Sequence, residues 1–180
     1  MLSVIMCTRN RAEQLRRVLD SAAAMRVPQN LSWEFLLVDN GSTDHTAEVV
    51  ASFADRLPIR RIEQPVPGLS NARNAGVAEA AGDYILWTDD DVVIDPGWLE
   101  AYADAFTAYP QAAVFGGVIE PVYEEEPPEW FRRNEDLLAT VVAKRDMGPE
   151  RRIMPDTPGM IPYGANYALR AAEQNRSDDT

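Results

Sequence analysis

Short apolar runs alternate with segments of helical periodicity along most of this chain. The predicted strands cover residues 2–7, 33–38, 59–62, 84–88 and 113–118. Strands that alternate with helices in this way predict βαβ units, in which parallel strands share one sheet and the helices cover both faces. The fold class is therefore predicted to be α/β, with a mostly parallel sheet flanked by helices and an irregular C-terminal part.

Local signals predict where the helices begin and end. Asn10 and Glu13 resemble a capping box at the start of the first helix. A later helix is expected to run from Ser70 to Gly82, since glycine is typical of a helix C-terminus. Asp95 is expected to precede another helix, with Pro96 at its first position.

The sequence changes character after Pro121. An acidic, proline-rich stretch, VYEEEPPEWF, is followed by a short helical pattern at 131–142 and then by a loop with many prolines. We expect residues 1–120 to form the α/β half and residues 121–180 to form a further segment of the same domain.

Composition excludes some classes of function. The formal net charge of −12 argues against nucleic acid as a partner, because a polyanion would be repelled. No apolar run has the roughly 18 residues that a membrane span needs, and no secretory leader is recognisable at the N-terminus. We therefore expect a cytoplasmic protein, with peripheral association at the inner face of a membrane left open.

Polar residues follow several of the predicted strands. They are Thr8 to Asn10 after the first strand, Asp39 to Ser42 after the second, and Asp89 to Asp91 after the fourth, with Arg73 beyond a Pro/Gly loop. In open α/β sheets, ligands bind beyond the carboxyl ends of the strands. These segments are therefore predicted to converge on one binding site.

The three consecutive aspartates of that site are the feature that most needs an explanation. Asp89, Asp90 and Asp91 follow directly on the apolar run YILWT, so their charges repel one another at the edge of a buried strand. A divalent cation would relieve this repulsion, and carboxylate oxygens suit Mg²⁺ or Mn²⁺. Such a cation, with open positions, typically carries the phosphates of a substrate.

Other phosphate-binding classes fit the sequence less well. A phosphatase of the haloacid dehalogenase type carries its aspartates on the first strand and needs a later lysine, whereas here they follow the fourth strand and Lys144 is the only lysine. A dinucleotide-binding domain needs a glycine-rich first turn, but this chain has CTRNR there. That turn also disfavours a nucleotidyltransferase. Phosphates would therefore be held by a cation and an arginine, with Arg73 the best placed.

Five ordered segments together resemble the family 2 glycosyltransferases, which have the GT-A fold. These segments are LSVIMCTRNRAEQLRRVLDS, LLVDNGSTDHT, PGLSNARNAG, YILWTDDDVVIDPGWL and IPYGANYALR. The resemblance implies a metal-dependent, inverting transfer of a sugar from a nucleotide-diphosphate-sugar, of the UDP or GDP type, to a hydroxyl acceptor. That acceptor would be a saccharide, a lipid-linked molecule or another alcohol. The cation would be Mn²⁺ or Mg²⁺.

The resemblance also implies a role for individual residues. Thr8, Asp39, Arg73, Asp89 and Asp90 would bind the donor, with Asp39 reading the base, and Asp91 would coordinate the metal. Asp89 and Asp91 are preferred over Asp90 for the direct contacts because their distance from Pro96 matches the family motif. Gly164, Ala165 and Asn166 would lie on the acceptor side, and a loop that merely packs there is the alternative.

The family places its catalytic base in a Glu-Asp type motif after the Gly-Ala-Asn segment, and no such motif follows Asn166 here. The catalytic base is therefore unassigned. We expect residues 1–120 to be the nucleotide-sugar-binding half and residues 121–180 to be a truncated acceptor-side segment. The alternative function is a nucleotide-diphosphate-binding module without transfer activity.

Overall fold

Six strands form a single sheet in the part of the chain that the structure describes. The structure is a computed structural model, and it describes residues 1–146, 148, 150, 151 and 162–174. The strands are β1 Leu2–Thr8, β2 Trp33–Asp39, β3 Ile59–Glu63, β4 Tyr84–Thr88, β5 Val114–Gly116 and β6 Tyr167–Arg170. Their order across the sheet is β3-β2-β1-β4-β6-β5.

The sheet is mostly parallel, as predicted, and the α/β fold class is confirmed. Strands β3, β2, β1 and β4 are parallel neighbours, whereas β6 is antiparallel to both β4 and β5. The chain moves outward on one side of β1 through β2 and β3, and then returns to place β4 on the other side. The crevice between the ends of β1 and β4 is therefore a topological switch point, where open α/β sheets bind ligands.

Helices cover both faces of the sheet. They are α1 Ala12–Ala23, α2 Thr46–Ala51, α3 Leu69–Glu79, α4 Trp98–Ala108, α5 Glu129–Arg132 and α6 Ala171–Gln174. One core cluster joins α1, α2 and α4 to one face of the sheet through fully buried side chains such as Leu15, Phe35 and Leu99. A second cluster joins α3 to the opposite face through Ala72, Ile5 and Val38. Apolar burial on both faces explains why β1 and β2 read as continuous apolar runs.

Two helix ends differ from the prediction. Asn10 does not cap α1, because its backbone is left-handed (φ 54°) and its Oδ1 accepts a hydrogen bond from the Thr43 backbone instead. The first N–H of α1, on Ala12, donates to the Asp44 carboxylate at 3.0 Å. Helix α3 ends at Glu79 rather than at Gly82. Glycine is needed at position 82 because the backbone of β1 packs closely against it: a Cβ there would lie 2.6 Å from the backbone nitrogen of Ser3.

Other boundaries are also shorter than the sequence suggested. Helix α4 begins at Trp98, and Pro96 lies before it, because the Asp95 carboxylate accepts from the Gly97 N–H and closes a turn there. The fifth strand covers only Val114–Gly116, and the helical stretch expected at 131–142 is reduced to the end of α5, followed by turns. The proline-rich loop before residue 162 lies largely outside the described residues. The division at residue 120 stays a prediction, although β6 joins the same sheet as β1 to β4.

Candidate donor-binding site

A cleft of about 430 Å³ opens at the switch point between β1 and β4. It is lined by Cys7, Thr8, Arg9, Arg11, Asn40, Gly68, Leu69, Ala72, Asp89, Asp90 and Asp91. The structure therefore brings together the segments after β1, β2 and β4 with the start of α3. The polar segments that follow the strands therefore meet at one cleft, as their positions at the strand ends predict.

Asp90 is the anchored member of the aspartate cluster. Its side chain is buried, one carboxylate oxygen accepts from the Thr8 hydroxyl at 2.7 Å, and the other accepts from Arg11 at 2.8 Å. These bonds tie the loop after β4 to the end of β1 and compensate the charge of Asp90. Thr8 and Asp90, both predicted to bind a donor, line the cleft, and they also hold each other in place.

Asp89 is the least compensated of the three aspartates. Burial, followed by the charge of Asp91, raises the pKa of Asp89 above its usual value, although the nearby Arg73 opposes the rise. None of the described residues donates a hydrogen bond to this carboxylate. A half-buried anion in this condition is stabilised by any cation that enters the cleft.

Asp91 faces solvent at the mouth of the cleft. Its side chain is 58% exposed, and one oxygen lies 3.1 Å from the Arg11 guanidinium. No group of three or more His, Cys, Asp or Glu side chains is placed to hold a metal ion within the described part of the chain. Two carboxylates, Asp89 and Asp91, are nevertheless the donor type that Mg²⁺ and Mn²⁺ use when substrate phosphates complete the coordination. The residues present therefore fit a cation that arrives with a phosphorylated ligand.

Asp39, at the end of β2, is held by two neighbours. Its Oδ2 accepts from Arg61 Nε at 3.0 Å and from Arg61 Nη2 at 2.7 Å, while its Oδ1 accepts from the Ser42 backbone N–H at 2.9 Å. Burial alone would raise the pKa of Asp39, but the hydrogen bonds from Ser42 and Arg61 outweigh it and lower the pKa. Asp39 is therefore an ionised, oriented carboxylate beside the cleft.

Arg73 lies where the sequence placed it, on α3 near the aspartates. Its guanidinium carbon is 5.7 Å from the centre of the Trp87 ring. A Cβ added to Gly164 would lie 3.3 Å from Arg73 Nη2 and 3.9 Å from Asp89 Oδ2. The structure thus brings the Gly-Ala-Asn segment to the Arg73 and Asp89 side of the site.

Asn166 has a different environment from Gly164. Its Oδ1 accepts from Trp98 Nε1 and from the Tyr102 hydroxyl, and its Nδ2 donates to the Val118 carbonyl, each at 2.8 Å. The side chain therefore joins α4 and the segment after β5 to the start of β6. Its predicted place beside an acceptor is untested, and its hydrogen bonds are structural.

Sequence reasoning missed Arg11 and Arg61, although each is bonded to a predicted site residue. Arg11 belongs to the turn CTRNR after the first strand. Its positive charge, at the same edge of the sheet as three aspartates, is the signal that could have identified it. Arg61 belongs to IRRIE, where residues 61 and 63 share one face of the strand by simple alternation. Pairing β3 beside β2 would have placed that arginine near Asp39.

A parallel sheet whose carboxyl edge carries a carboxylate cluster beside a cleft defines an α/β ligand-binding domain. The profile described as "Glycosyl transferase family 2" matches residues 3–173. The chain therefore belongs to glycosyltransferase family 2, as the five segments predicted.

Known proteins resemble this chain in sequence and in fold. Succinoglycan biosynthesis protein ExoM of Rhizobium meliloti is 28% identical over 136 residues, which cover 74% of this chain and 43% of ExoM. The crystal structure of S. aureus TarS 1-349 in complex with UDP matches with a TM-score of 0.77 at 20% identity, over 98% of this chain and 48% of TarS 1-349. The mannosyltransferase PcManGT from Pyrobaculum calidifontis, in complex with GDP-Man and Mn²⁺, matches with a TM-score of 0.69 at 24% identity, over 98% of this chain and 46% of that one.

These comparisons confirm the GT-A fold. At identities below a quarter, the structural matches speak for the fold alone. The chain spans less than half the length of each of these three proteins. Among the described residues, no helix combines the length and the apolar character needed to cross a membrane.

Proposed function

We propose that this chain forms the donor-binding part of a glycosyltransferase that moves a sugar from a UDP- or GDP-sugar to a hydroxyl acceptor. The transfer inverts the anomeric centre and depends on Mn²⁺ or Mg²⁺. The observation that carries the proposal is the unequal state of the three aspartates. Asp90 is fixed by Thr8 and Arg11, whereas Asp89 accepts no hydrogen bond from the described residues and Asp91 contacts Arg11 only from an exposed position.

This arrangement suits a diphosphate that arrives with a cation. A diphosphate alone would be repelled by Asp89 and Asp91, whereas a divalent cation bound with the diphosphate would bring positive charge to both carboxylates. Arg73, beside Asp89, supplies a second positive charge on the same side. Asp39, held by Arg61 and Ser42, supplies the acceptor for a base N–H.

In the proposed reaction, an acceptor hydroxyl forms a bond to the anomeric carbon and gives up its proton to a general base that is unassigned in this chain, while the bond from that carbon to the diphosphate breaks. A divalent cation held by Asp91 and Asp89 would supply charge that stabilises the departing diphosphate. Thr8 and Arg11 hold Asp90 and so keep the neighbouring carboxylates in place. Gly164, close to Arg73 and Asp89, and its chain neighbour Ala165 would border the space where sugar and acceptor meet.

Calorimetric titration of the chain with UDP and with GDP, each with and without Mn²⁺, tests donor binding. We expect one of the nucleotides to bind with Mn²⁺ and to bind much more weakly without it. In the Asp91→Asn variant, Mn²⁺ should no longer promote nucleotide binding. The variant should keep its fold, because repulsion among the three aspartates falls. Asp104→Asn, which removes the same charge from an exposed position on α4, is the matched control and should behave as the parent does.

Two results would contradict the proposal. The absence of binding under all four conditions would remove nucleotide recognition, and unchanged Mn²⁺ dependence in Asp91→Asn would remove the metal assignment. Turnover of a UDP- or GDP-sugar in the presence of an acceptor separates a transferase from the alternative, a nucleotide-diphosphate-binding module without transfer activity.

A further inference from the structure

The two carboxylate oxygens of Asp39 are unequally occupied. An ionised carboxylate only accepts hydrogen bonds, and each oxygen has about two acceptor positions. Both positions of Oδ2 are used by Arg61, through Nε at 3.0 Å and Nη2 at 2.7 Å. Oδ1 accepts from the Ser42 N–H at 2.9 Å, and the Ser42 side chain also bonds to this carboxylate. Because the Ser42 hydroxyl can rotate its hydrogen away, at most one acceptor position, on Oδ1, is left for a ligand.

The hydrogen bonds from Arg61 to Asp39 are not easily broken. Nη1 of Arg61 donates to Glu63 Oε1 at 2.6 Å, so the guanidinium is held between two carboxylates. The Asp39 side chain is only 2% exposed and that of Arg61 is 30% exposed. Because the Asp39 carboxylate is shielded from water, a ligand that needs Oδ2 would have to break its two charge-assisted hydrogen bonds with Arg61.

Nucleobases differ in how many donors they present to a carboxylate. Uracil presents one ring N–H between two carbonyl groups. Guanine presents a ring N–H and an exocyclic amine side by side, which together need two acceptor positions. A carboxylate with one free acceptor position can pair with the single N–H of uracil, but it leaves one of the two guanine donors unpaired. Buried unpaired donors are strongly disfavoured.

We propose that Arg61 limits Asp39 to a single free acceptor, so that the site selects UDP-sugars over GDP-sugars. The inference rests on the function proposed above, in which Asp39 reads the base of the donor. Arg61 is in this sense a positioning residue that acts on specificity through Asp39 rather than by touching the base.

The test is the ratio of UDP to GDP affinity, measured calorimetrically with Mn²⁺ on the parent chain and on Arg61 variants. We expect the parent to bind UDP roughly tenfold or more tightly than GDP. Arg61→Met removes every donor to Oδ2, so this preference should shrink by about tenfold, mainly through tighter GDP binding. Arg61→Lys keeps the charge but not the fork, and its ratio should fall between the two.

Arg60→Met is the matched control. Arg60 is the neighbouring arginine on β3, and it pairs with Glu79 and Glu34 rather than with Asp39. It should keep the parent ratio. Thermal unfolding of each variant establishes whether it is folded. If Arg61→Met does not fold, the ratio of UDP to GDP affinity in Arg61→Lys is compared with that of the parent instead.

The outcomes separate this inference from the proposed function. A parent that binds GDP as tightly as UDP, or a ratio that shifts equally in the Arg60 and Arg61 variants, overturns the role of Arg61 and leaves donor binding intact. A parent that binds neither nucleotide overturns the proposed function, and the inference falls with it.

Discussion

Replacing Asn166 by alanine should destabilise the protein more than its partial exposure suggests. The change removes three hydrogen bonds, to Trp98 Nε1, to the Tyr102 hydroxyl and to the Val118 carbonyl. Each is worth about 0.5–1.5 kcal/mol net, and a buried donor left without a partner adds to the cost. Burial raises the pKa of Tyr102, so its hydroxyl stays protonated and needs an acceptor. We expect a loss of about 3 kcal/mol in the free energy of unfolding.

The assay is thermal and urea unfolding, with Tyr102→Phe made alone and together with Asn166→Ala. For a chain of this length the melting temperature should fall by about 6–12 °C in Asn166→Ala. Tyr102→Phe alone should cost about 1 kcal/mol. In the Asn166→Ala background it should cost nearly nothing, because the hydroxyl that it removes has already lost its acceptor.

Asn134→Ala is the control for loss of an asparagine side chain. Asn134 is exposed and donates only to the Trp130 carbonyl one helical turn earlier, so its removal should change stability by less than about 0.5 kcal/mol. If Asn166→Ala costs no more than this control, or if Tyr102→Phe costs the same in both backgrounds, the Asn166 bonds do not hold α4 to β6.

Three further predictions concern the sheet edge and the core. Asp39→Ala should weaken nucleotide binding while leaving its Mn²⁺ dependence intact, and equal affinity in parent and variant would remove Asp39 from the site. Gly76→Ala should lower the free energy of unfolding by about 1 kcal/mol or more, because the new Cβ would lie 2.7 Å from Ile5 Cγ2 in the packing of α3 on β1; an unchanged urea midpoint would contradict this. Asp89→Asn should raise the melting temperature of the free chain at pH 7, because a raised folded-state pKa means that ionisation of Asp89 costs stability as the pH rises through that pKa. The gain should vanish below about pH 3.9, where the carboxyl is protonated in both states, and a gain independent of pH would refute the cause.

The parallel half of the fold could be predicted from the sequence, because its strands β1, β2 and β4 are buried on both faces. Val4 and Leu36, on neighbouring strands, are completely buried, and burial of this kind leaves a continuous apolar run that few other structures explain. The strands that pair in antiparallel fashion, β5 and β6, are marked less clearly. Val114 is exposed, and β6 is a four-residue strand that pairs with β4 across a long separation in sequence. Its place in the sheet follows from tertiary pairing, which local periodicity cannot encode.

The helix starts were misjudged for a related reason. The sequence suggested that Asn10 caps its own helix, but the cap comes from Asp44, in the loop after a different strand. The loops after β1 and β2 lie side by side because their strands are paired, so each satisfies the polar groups of the other. Asn10 and Thr43 show the same exchange. A local motif is a weak guide where two strand ends meet, because non-local donors and acceptors compete with the local ones.

Only part of the aspartate cluster could be predicted from the sequence. The position of three carboxylates at the end of a buried strand was visible in the sequence, whereas the division of labour among them was not. That division depends on which carboxylate reaches the end of β1: Asp90 contacts both Thr8 and Arg11, whereas Asp91 contacts Arg11 alone, from an exposed position. A single anchored carboxylate fixes the backbone of the loop, so its two neighbours are held near each other despite their repulsion. The charge that destabilises the free chain is thus kept where an incoming cation and diphosphate would relieve it.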